Sequence, residues 1–254
     1  MTLEDLVEKS ILVLRETKSQ FENPVILWST GKDSTLTVSL CRDAFFGEVP
    51  FPVLHIDTGW EFPTMHEFRD RLAKEWNLDL IVKKSDKAGV VKPNEKMTHQ
   101  ECCQVLKTDV FRETIEKHCF DAVIVSMRGD EQHSRNMDSP VESGQNELQD
   151  ASQKDSGNCH LINRYPILHW NEIDVWRYSE ERNLPVNPLY FSKKGKRYQS
   201  VGCYPCVAPI KSKADTSKKI IKEIRTTKTE EKSGIAQDKE AKEIMERLKA
   251  LGYM

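Results

Sequence analysis

The sequence predicts an α/β fold, a parallel twisted sheet with helices on both faces and a C-terminal helical tail. Short apolar runs, the first at residues 25–29, alternate with longer segments of helical periodicity, an order typical of parallel sheets covered by helices. Polar loops follow three of these runs, at 29–34, 57–62 and 126–135. Because ligands bind beyond the carboxyl ends of parallel strands, we expect these loops to converge on one site.

The predicted elements alternate up to residue 126. Strands are predicted at 25–29, 51–57, 78–82 and 121–126. Helices are predicted at about 3–18, 34–45, 63–76 and 101–118. We expect the first helix to begin with a capping box formed by Thr2 and Asp5.

The second half of the chain is less regular. Segment 136–160 is rich in polar residues and is predicted to be a mobile surface loop. Structure is expected to resume at 161–168, followed by a helix at about 171–182. Segment 211–251 is predicted to form two amphipathic helices, broken near Ser233 and Gly234. We therefore expect one domain over residues 1–206 and a helical extension over 207–254.

Composition restricts the class of protein. A chain of 254 residues can bury the core of one large domain, and a net charge of −2 with 31% charged residues favours no class of partner. It has no apolar run long enough to span a membrane, and its acidic N-terminus is unlike a signal peptide. These features predict a cytoplasmic protein, in which the seven cysteines are expected as metal ligands or catalytic thiols.

The loop after the first predicted strand has the composition of an anion site. Backbone N–H groups at a helix N-terminus attract phosphate, and Gly31 lets the backbone approach a ligand closely. Its spacing differs from that of the Walker loop, and an ordinary strand-to-helix turn is the alternative. The residues expected to bind the anion are Ser29, Thr30, Gly31, Lys32, Asp33 and Ser34.

Charged residues on the other loops extend this predicted site. Asp33 and Asp57 follow neighbouring predicted strands, and such carboxylates are typical ligands of Mg²⁺. Arg128 and Arg135 are expected to clamp an attacking anion, because a guanidinium matches its oxygens. A helix N-cap for Asp33, a turn acid for Asp57 and a surface salt-bridge cluster for the arginines are the alternatives.

Aromatic, histidine and lysine residues give weaker indications. Trp28 and Trp60 are candidates for walls of an adenine pocket, with core packing the alternative. The histidines have no metal-ligand spacing with one another, and His133 is the one histidine considered for the site. Between Lys211 and Lys232 the basic residues outnumber the acidic ones. Such a surplus suits a nucleic-acid backbone or, alternatively, a solvated helix face.

Several blocks resemble the phosphoadenylyl-sulfate reductase family, which includes the sulfate adenylyltransferase small subunits. These blocks are 29–34, 54–60, 68–70, 128–135, 165–176, 188–191, 202–205 and 252–253. The first also resembles the pyrophosphate loop of the N-type ATP pyrophosphatases. The resemblance implies an adenine nucleotide α-hydrolase-like fold that splits ATP between its α and β phosphates. It implies that the ATP and Mg²⁺ site comprises residues 29–34 and Asp57, with Lys32, Asp33, Arg128 and Arg135 as catalytic residues.

A second pattern lies in the cysteines. Cys102-Cys103 and Cys203-Tyr-Pro-Cys206 resemble the cluster-binding cysteines of adenylyl-sulfate reductases and of DNA phosphorothioation ATPases. The resemblance implies a [4Fe–4S] cluster, while four thiolates also suit zinc, a redox disulfide or unrelated buried thiols.

The remaining cysteines bear on the reaction in other ways. No cysteine follows Cys206, which disfavours the reductase reaction with its C-terminal nucleophile. Cys41 and Cys119 are expected to be buried free thiols. Cys159, beside His160, is either a sulfur-accepting thiol or an incidental exposed cysteine.

These patterns lead to two predicted functions. The first is iron–sulfur-dependent DNA phosphorothioation, in which ATP activates an oxygen and a cysteine desulfurase supplies sulfur. The alternative is the sulfate adenylyltransferase small subunit, which forms adenylyl sulfate with a GTPase large subunit. A nucleotide-binding scaffold without activity is disfavoured by the intact loop, and a homo-oligomer is left open.

Overall fold

The protein folds around a five-stranded parallel sheet in the computed structural model, which describes residues 1–92, 97–132 and 161–226. The strand order is β3-β2-β1-β4-β5, and every neighbouring pair is parallel. The strands are β1 Pro24–Leu27, β2 Val53–Asp57, β3 Leu80–Lys84, β4 Ala122–Ile124 and β5 Ile162–Arg164. This sheet confirms the fold class predicted from the sequence.

Eight helices accompany the sheet in the described part of the chain. They are α1 Leu3–Gln20, α2 Lys32–Ala44, α3 Pro63–Glu75, α4 His99–Cys103, α5 Asp109–His118, α6 Gly129–Gln132, α7 Glu172–Glu181 and α8 Ser217–Thr226. A π-helical turn, Gln104–Thr108, joins α4 to α5, and a 3-10 turn covers Pro188–Tyr190. No helix in these segments has the length and hydropathy needed to cross a bilayer.

The core lies on both faces of the sheet. Ile26 and Trp28 belong to the cluster that α1, α2, α3 and α7 cover. Val25 and Leu27 point to the opposite face and pack in the cluster that contains Phe111 of α5. Successive side chains of a strand alternate between faces, so a strand buried on both sides is apolar throughout, as β1 is.

Local signals account for several helix ends. Thr2 accepts the Asp5 amide hydrogen bond and the Asp5 side chain accepts the Thr2 amide hydrogen bond, which confirms the predicted capping box. The same reciprocal arrangement begins α7 at Asn171. Pro63 stands at the first position of α3, where its missing N–H costs no hydrogen bond.

Some predicted boundaries differ from the structure. The third strand was expected at 78–82 and runs two residues later. The helix expected at 101–118 begins at His99 and contains the π-helical turn. The predicted loop 136–160 and the predicted break near Ser233 lie outside the described residues.

A smaller layer covers the carboxyl edge of the sheet near α2. It contains the antiparallel ribbon of β6 (Lys196–Arg197) and β7 (Ile210–Lys211), together with α8. Ile220 of α8 is fully buried in a cluster with Trp176 and Tyr190. Helix α8 therefore packs against the main body, beside the loop that follows β1.

Candidate nucleotide site and cysteine centre

The loop between β1 and α2 is shaped as an anion cradle. Thr30 adopts a left-handed backbone conformation, φ +62°, and α2 begins two residues later. A Cβ on Gly31 would lie 3.3 Å from Ser29 Oγ and 3.4 Å from Tyr190 Oη, so a side chain there would crowd the cradle. Ser29 Oγ and Ser34 Oγ face each other at 3.1 Å. The loop thus directs two hydroxyls and the α2 N-terminus to one point.

Two buried hydroxyls near this loop lack protein partners. Thr30 Oγ1 and Ser126 Oγ, after β4, are enclosed and make no hydrogen bond within the described residues. A buried hydroxyl without a partner is costly, so such groups usually serve a water or a ligand. Their presence fits the polar oxygens of a phosphate chain.

A buried ion array lies beneath the cradle. Asp33 Oδ2 accepts a hydrogen bond from Lys32 Nζ at 3.1 Å, and Asp33 Oδ1 lies 2.7 Å from Arg128 Nη1. Lys32 and Arg128 are 2% and 1% exposed. Both cations lie directly beside the cradle, where a phosphate oxygen could compete with Asp33 for their hydrogens. The structure therefore brings together the predicted Lys32, Asp33 and Arg128.

Arg128 is held from its other side by Asp130. Arg128 Nε donates to Asp130 Oδ1 at 2.9 Å, and Asp130 Oδ2 accepts the Glu172 amide hydrogen bond at 2.9 Å. Glu172 is the first residue of α7, so the guanidinium is connected through one carboxylate to a helix N-terminus. The residue between Arg128 and Asp130 is Gly129, and a side chain is excluded there because a Cβ would lie 2.5 Å from Leu168 O.

Tyr190 is a site residue that the sequence reasoning missed. Its hydroxyl accepts the Lys32 amide hydrogen bond at 3.1 Å, and Lys32 Nζ lies 5.8 Å from its ring centre. The side chain is 2% exposed and packs edge-on against Trp176. The resemblance block 188–191 contained this residue, but a lone tyrosine in a sequence carries no signal of contact with a loop 158 positions away.

Asp57 occupies a different part of the same sheet edge. Its Oδ1 accepts the Gly59 amide hydrogen bond at 2.7 Å, and its Oδ2 lies 3.5 Å from Lys84 Nζ. Burial raises the pKa of Asp57, but the Gly59 N–H and the Lys84 charge outweigh it and hold the pKa below its ordinary value. The carboxylate is therefore charged at neutral pH, as a metal ligand must be.

The four predicted cysteines lie in one region of the fold. Burial, followed by the charges of Cys103 and Cys203, raises the pKa of Cys102 to about 11. Burial, followed by Cys203 and Cys103, raises the pKa of Cys206 to about 12. The thiols from the two distant segments are thus near enough to affect one another's ionisation.

Aromatic contacts position the second cysteine pair. Tyr204 packs edge-on against Trp60 at 5.3 Å, and its amide donates to Trp60 O at 2.8 Å. Cys203 Sγ lies 3.2 Å from Thr58 Oγ1 in the loop after β2. This pairing fixes the Cys203–Cys206 turn beside the carboxyl edge of the sheet.

Lys107 joins the cysteine set from the π-helical turn. Burial lowers its pKa, but nearby Cys203, Cys103 and Cys206 outweigh that effect and hold the pKa above its ordinary value. A cation at this position favours thiolates, which are the form that binds metals.

The cysteines do not form a compact ligand set within the described residues. Three or more potential ligand atoms within 4.8 Å of one another occur there at Asp57, Glu61 and His66, and at no cysteine trio.

One cleft connects the two sites. It is lined by residues from β1, β2, the π-helical turn and the 201–203 segment. Ser29 lies on one wall and Cys203 with Lys107 on another. Groups bound at the anion cradle and at the cysteines would therefore share one cleft.

Several predicted residues have other locations. Arg135, His133 and Cys159 lie outside the described residues. Trp28 is 1% exposed and packs in the core, and it also lines the cleft. Cys119 was expected to be buried, and this prediction is wrong. It caps the end of α5 in a left-handed conformation, φ +51°, with its side chain exposed, whereas Cys41 is buried as predicted.

The predicted basic surface is partly neutralised. Lys218 Nζ lies 3.2 Å from Glu180 of α7, and Lys219 Nζ lies 2.7 Å from Asp215. Lys222 of the same helix is exposed. The local surplus of positive charge on α8 is therefore smaller than the sequence alone indicates.

The sheet and the loop after β1 define an adenine nucleotide α-hydrolase-like fold. Residues 23–209 match the family described as the phosphoadenosine phosphosulfate reductase domain, and the chain belongs to this family. It is 32% identical to sulfate adenylyltransferase subunit 2 of Pseudomonas fluorescens, over 99% of this chain and 97% of that protein. The corresponding protein of a Methylobacterium species is 34% identical, over 99% and 94%.

Solved structures agree on the fold. The FMN adenylyltransferase of Candida glabrata matches with a TM-score of 0.56 and 19% identity, over 96% of this chain and 80% of that chain. The U34-tRNA thiolase of Methanococcus maripaludis, solved with its [4Fe–4S] cluster, matches with a TM-score of 0.52 and 15% identity, over 72% and 66%. At such identities the likeness concerns the fold alone.

Proposed function

We propose that this protein transfers the adenylyl group of ATP to sulfate and releases pyrophosphate. The observation that carries the proposal is the buried array of Lys32, Asp33 and Arg128 under an anion cradle. The naming of the relatives as sulfate adenylyltransferase subunit 2, with matches over nearly the whole chain, supports sulfate as the acceptor. These relatives favour the alternative function weighed from the sequence over DNA phosphorothioation.

The chemistry follows from where charge develops. A sulfate oxygen attacks the α-phosphorus while the bond from that phosphorus to the pyrophosphate oxygen breaks in line. The leaving pyrophosphate gains negative charge, and the α2 N-terminus, Ser34 and Lys32 are oriented to receive it. Arg128 would orient the attacking sulfate, and Arg135, outside the described residues, is the second arginine that the sequence predicts for this role.

Mg²⁺ belongs to this proposal. Asp33 and Asp57 are the carboxylates that would hold it, and a bound Mg²⁺ neutralises phosphate oxygens during transfer. The two carboxylates are occupied by Lys32, Arg128 and Lys84 in the present arrangement. Bound phosphates would compete for those same cations and release carboxylate oxygens.

The test measures pyrophosphate release and adenylyl sulfate formation from ATP and sulfate, with a GTPase large subunit supplied as partner. Asp33→Ala and Ser34→Ala should each reduce both rates by about 100-fold, the usual effect of losing a preorganised charge contact. Asp86→Ala, at an exposed aspartate after β3, is the matched control and should leave both unchanged. Wild-type rates in both site variants would refute the proposal.

A second candidate is sulfur transfer, including DNA phosphorothioation. It is favoured by the position of Cys203 in the cleft that Ser29 also lines. ATP would adenylylate an acceptor oxygen, and the terminal sulfur of a persulfide supplied by a cysteine desulfurase would displace AMP, which leaves with that oxygen. A thiol reductant would then cleave the resulting disulfide and release the thiolated acceptor. A [4Fe–4S] cluster on Cys102, Cys103, Cys203 and Cys206 would supply an iron site for that sulfur.

The two candidates give opposite results with one variant. Cys203→Ser with Cys206→Ser should leave adenylyl sulfate formation unchanged under the first candidate. Under the second, anaerobically purified wild-type protein should absorb near ~400 nm, as iron–sulfur proteins do, and the variant should lose both the absorbance and sulfur transfer. Formation of adenylyl sulfate at wild-type rates in the variant would exclude a required role of the cysteines in that reaction.

A further inference from the structure

Three side chains outside the ATP loop and the cysteine set meet at the end of β2. Asp57 is the last residue of β2, Glu61 lies in the following loop, and His66 lies in the first turns of α3. One ligand atom from each lies within 4.8 Å of the other two. Two carboxylates and an imidazole are a common donor set for borderline divalent metal ions.

Two histidine rings converge on Glu61. His55 Nδ1 lies 2.9 Å from Trp28 O, which can only accept, so Nδ1 carries a hydrogen. Its Nε2 lies 3.1 Å from Glu61 Oε2. His55 therefore holds the Glu61 carboxylate in place from one side.

His66 Nε2 is directed to the same point. Its Nε2 lies 3.2 Å from Glu61 Oε2 and 3.7 Å from Asp57 Oδ1. This nitrogen is fully enclosed, yet it makes no hydrogen bond of good geometry with any described residue. A buried nitrogen that points between two carboxylates without a well-oriented hydrogen bond has the arrangement expected of a metal ligand before the ion binds.

The supporting structure is rigid. β2 is hydrogen-bonded to β1 and β3, and Asp57 pairs directly with Lys84 on β3. His55 is 1% exposed and holds Glu61 from behind, as an outer partner of a ligating carboxylate does. Lys84 Nζ, 3.5 Å from Asp57, belongs to a side chain that is 53% exposed and can turn into solvent when an ion arrives.

We propose that Asp57, Glu61 and His66 form a binding site for a divalent metal ion such as Mn²⁺ that fills without nucleotide, with Asp57 as the one ligand it shares with the Mg²⁺ proposed above. The mixed oxygen and nitrogen ligands suit Mn²⁺, Fe²⁺ or Zn²⁺ better than Mg²⁺, which prefers oxygen alone. Glu61 also lines the cleft shared by Ser29 and Cys203, so a bound ion stands at its wall. The proposal does not depend on whether the adenylyl group is transferred to sulfate or to another acceptor.

The experiment measures Mn²⁺ binding to the full chain by electron paramagnetic resonance, without nucleotide and with thiols reduced. Mn²⁺ is the probe because thiolates bind it poorly, which keeps the cysteines out of the measurement. Wild-type protein should bind a single equivalent. Glu61→Gln and His66→Gln should each weaken binding by more than about 10-fold, and His55→Asn should weaken it less, as an outer partner.

The controls separate a metal site from nonspecific association. Glu67→Gln, at an exposed residue of the same helix, should bind Mn²⁺ as wild type does. Thermal melts of each variant verify folding, and His66, whose side chain is 34% exposed, tolerates replacement. Failure of wild-type protein to bind Mn²⁺ at millimolar concentration, or equal binding by both ligand variants, would overturn the proposal. Unchanged pyrophosphate release in Glu61→Gln and His66→Gln, together with lost Mn²⁺ binding, would support a site that fills independently of the ATP chemistry although Asp57 is shared.

Discussion

Asp130 acts on the site through Arg128. Its two oxygens connect the guanidinium to the N-terminus of α7, so the charge near Asp33 is held by a rigid element. A buried arginine held on two sides loses little freedom when its ligand binds. Asp130 is therefore a positioning residue. In the Arg-Gly-Asp sequence, the arginine supplies the charge near Asp33 and the aspartate orients that arginine.

Replacement of Asp130 tests that role. Asp130→Asn removes the charge that orients Arg128, and we expect kcat for adenylyl transfer to fall about 10- to 100-fold, as displacement of a catalytic group does. KM for ATP should change much less, because the cradle residues remain. Steady-state kinetics measure both values, with Asp86→Asn as control and Asp130→Glu expected to restore part of kcat. A fall in thermal stability with unchanged kcat would indicate a purely structural residue.

The loop after β2 connects two centres. Gly59 has φ +73°, and a Cβ there would lie 2.3 Å from Gly89 N and 2.7 Å from Ala88 C, both backbone atoms. Thr58 O also accepts the Gly89 amide hydrogen bond, at 3.2 Å. The loop therefore touches the 88–89 segment on one side and Cys203 on the other, and its shape determines where Asp57 and Cys203 lie.

Gly59→Ala should destabilise the protein by more than about 2 kcal/mol, since it combines left-handed backbone strain with a backbone clash. The matched control is Gly47→Ala, where φ is +100° but nothing lies within 4 Å of the added Cβ. Urea unfolding measures both. Equal midpoints for the two variants would contradict the steric reasoning. Mn²⁺ binding should also weaken in Gly59→Ala, because Asp57 moves with the loop.

The sequence predicted the elements better than it predicted their contacts. An apolar run predicts β1, and a capping box predicts the start of α1. The small and polar residues of loop 29–34 predict Lys32 and Asp33 as site residues. Tyr190 is placed at that loop by packing that includes Trp176, a contact between distant segments that no local pattern encodes. The histidines have no metal-ligand spacing with one another in the sequence. The set of Asp57, Glu61 and His66 has no such spacing either, because a strand, a loop and a helix bring its members together only in the folded chain.

At the scale of the whole molecule, the anion site joins segments from most of the chain. The cradle follows β1, Arg128 follows β4, and Tyr190 precedes the ribbon of β6 and β7. A ligand bound there contacts segments that separate on unfolding. Its binding free energy therefore adds to the stability of the entire fold, because the unfolded chain cannot assemble the same contacts.

ATP with Mg²⁺ should accordingly raise the melting temperature of the whole protein. At ATP 100-fold above its dissociation constant the added stability is about 2.7 kcal/mol. For a domain of this size each kcal/mol shifts the midpoint by about 2–4 °C, so we expect a rise of about 5–10 °C. Differential scanning calorimetry measures the shift, and Lys32→Met should remove most of it, since that ammonium is buried beside the cradle. An equal shift in Lys32→Met would mean that ATP binds away from this loop, because a nucleotide bound at the loop would lose its contact with this cation.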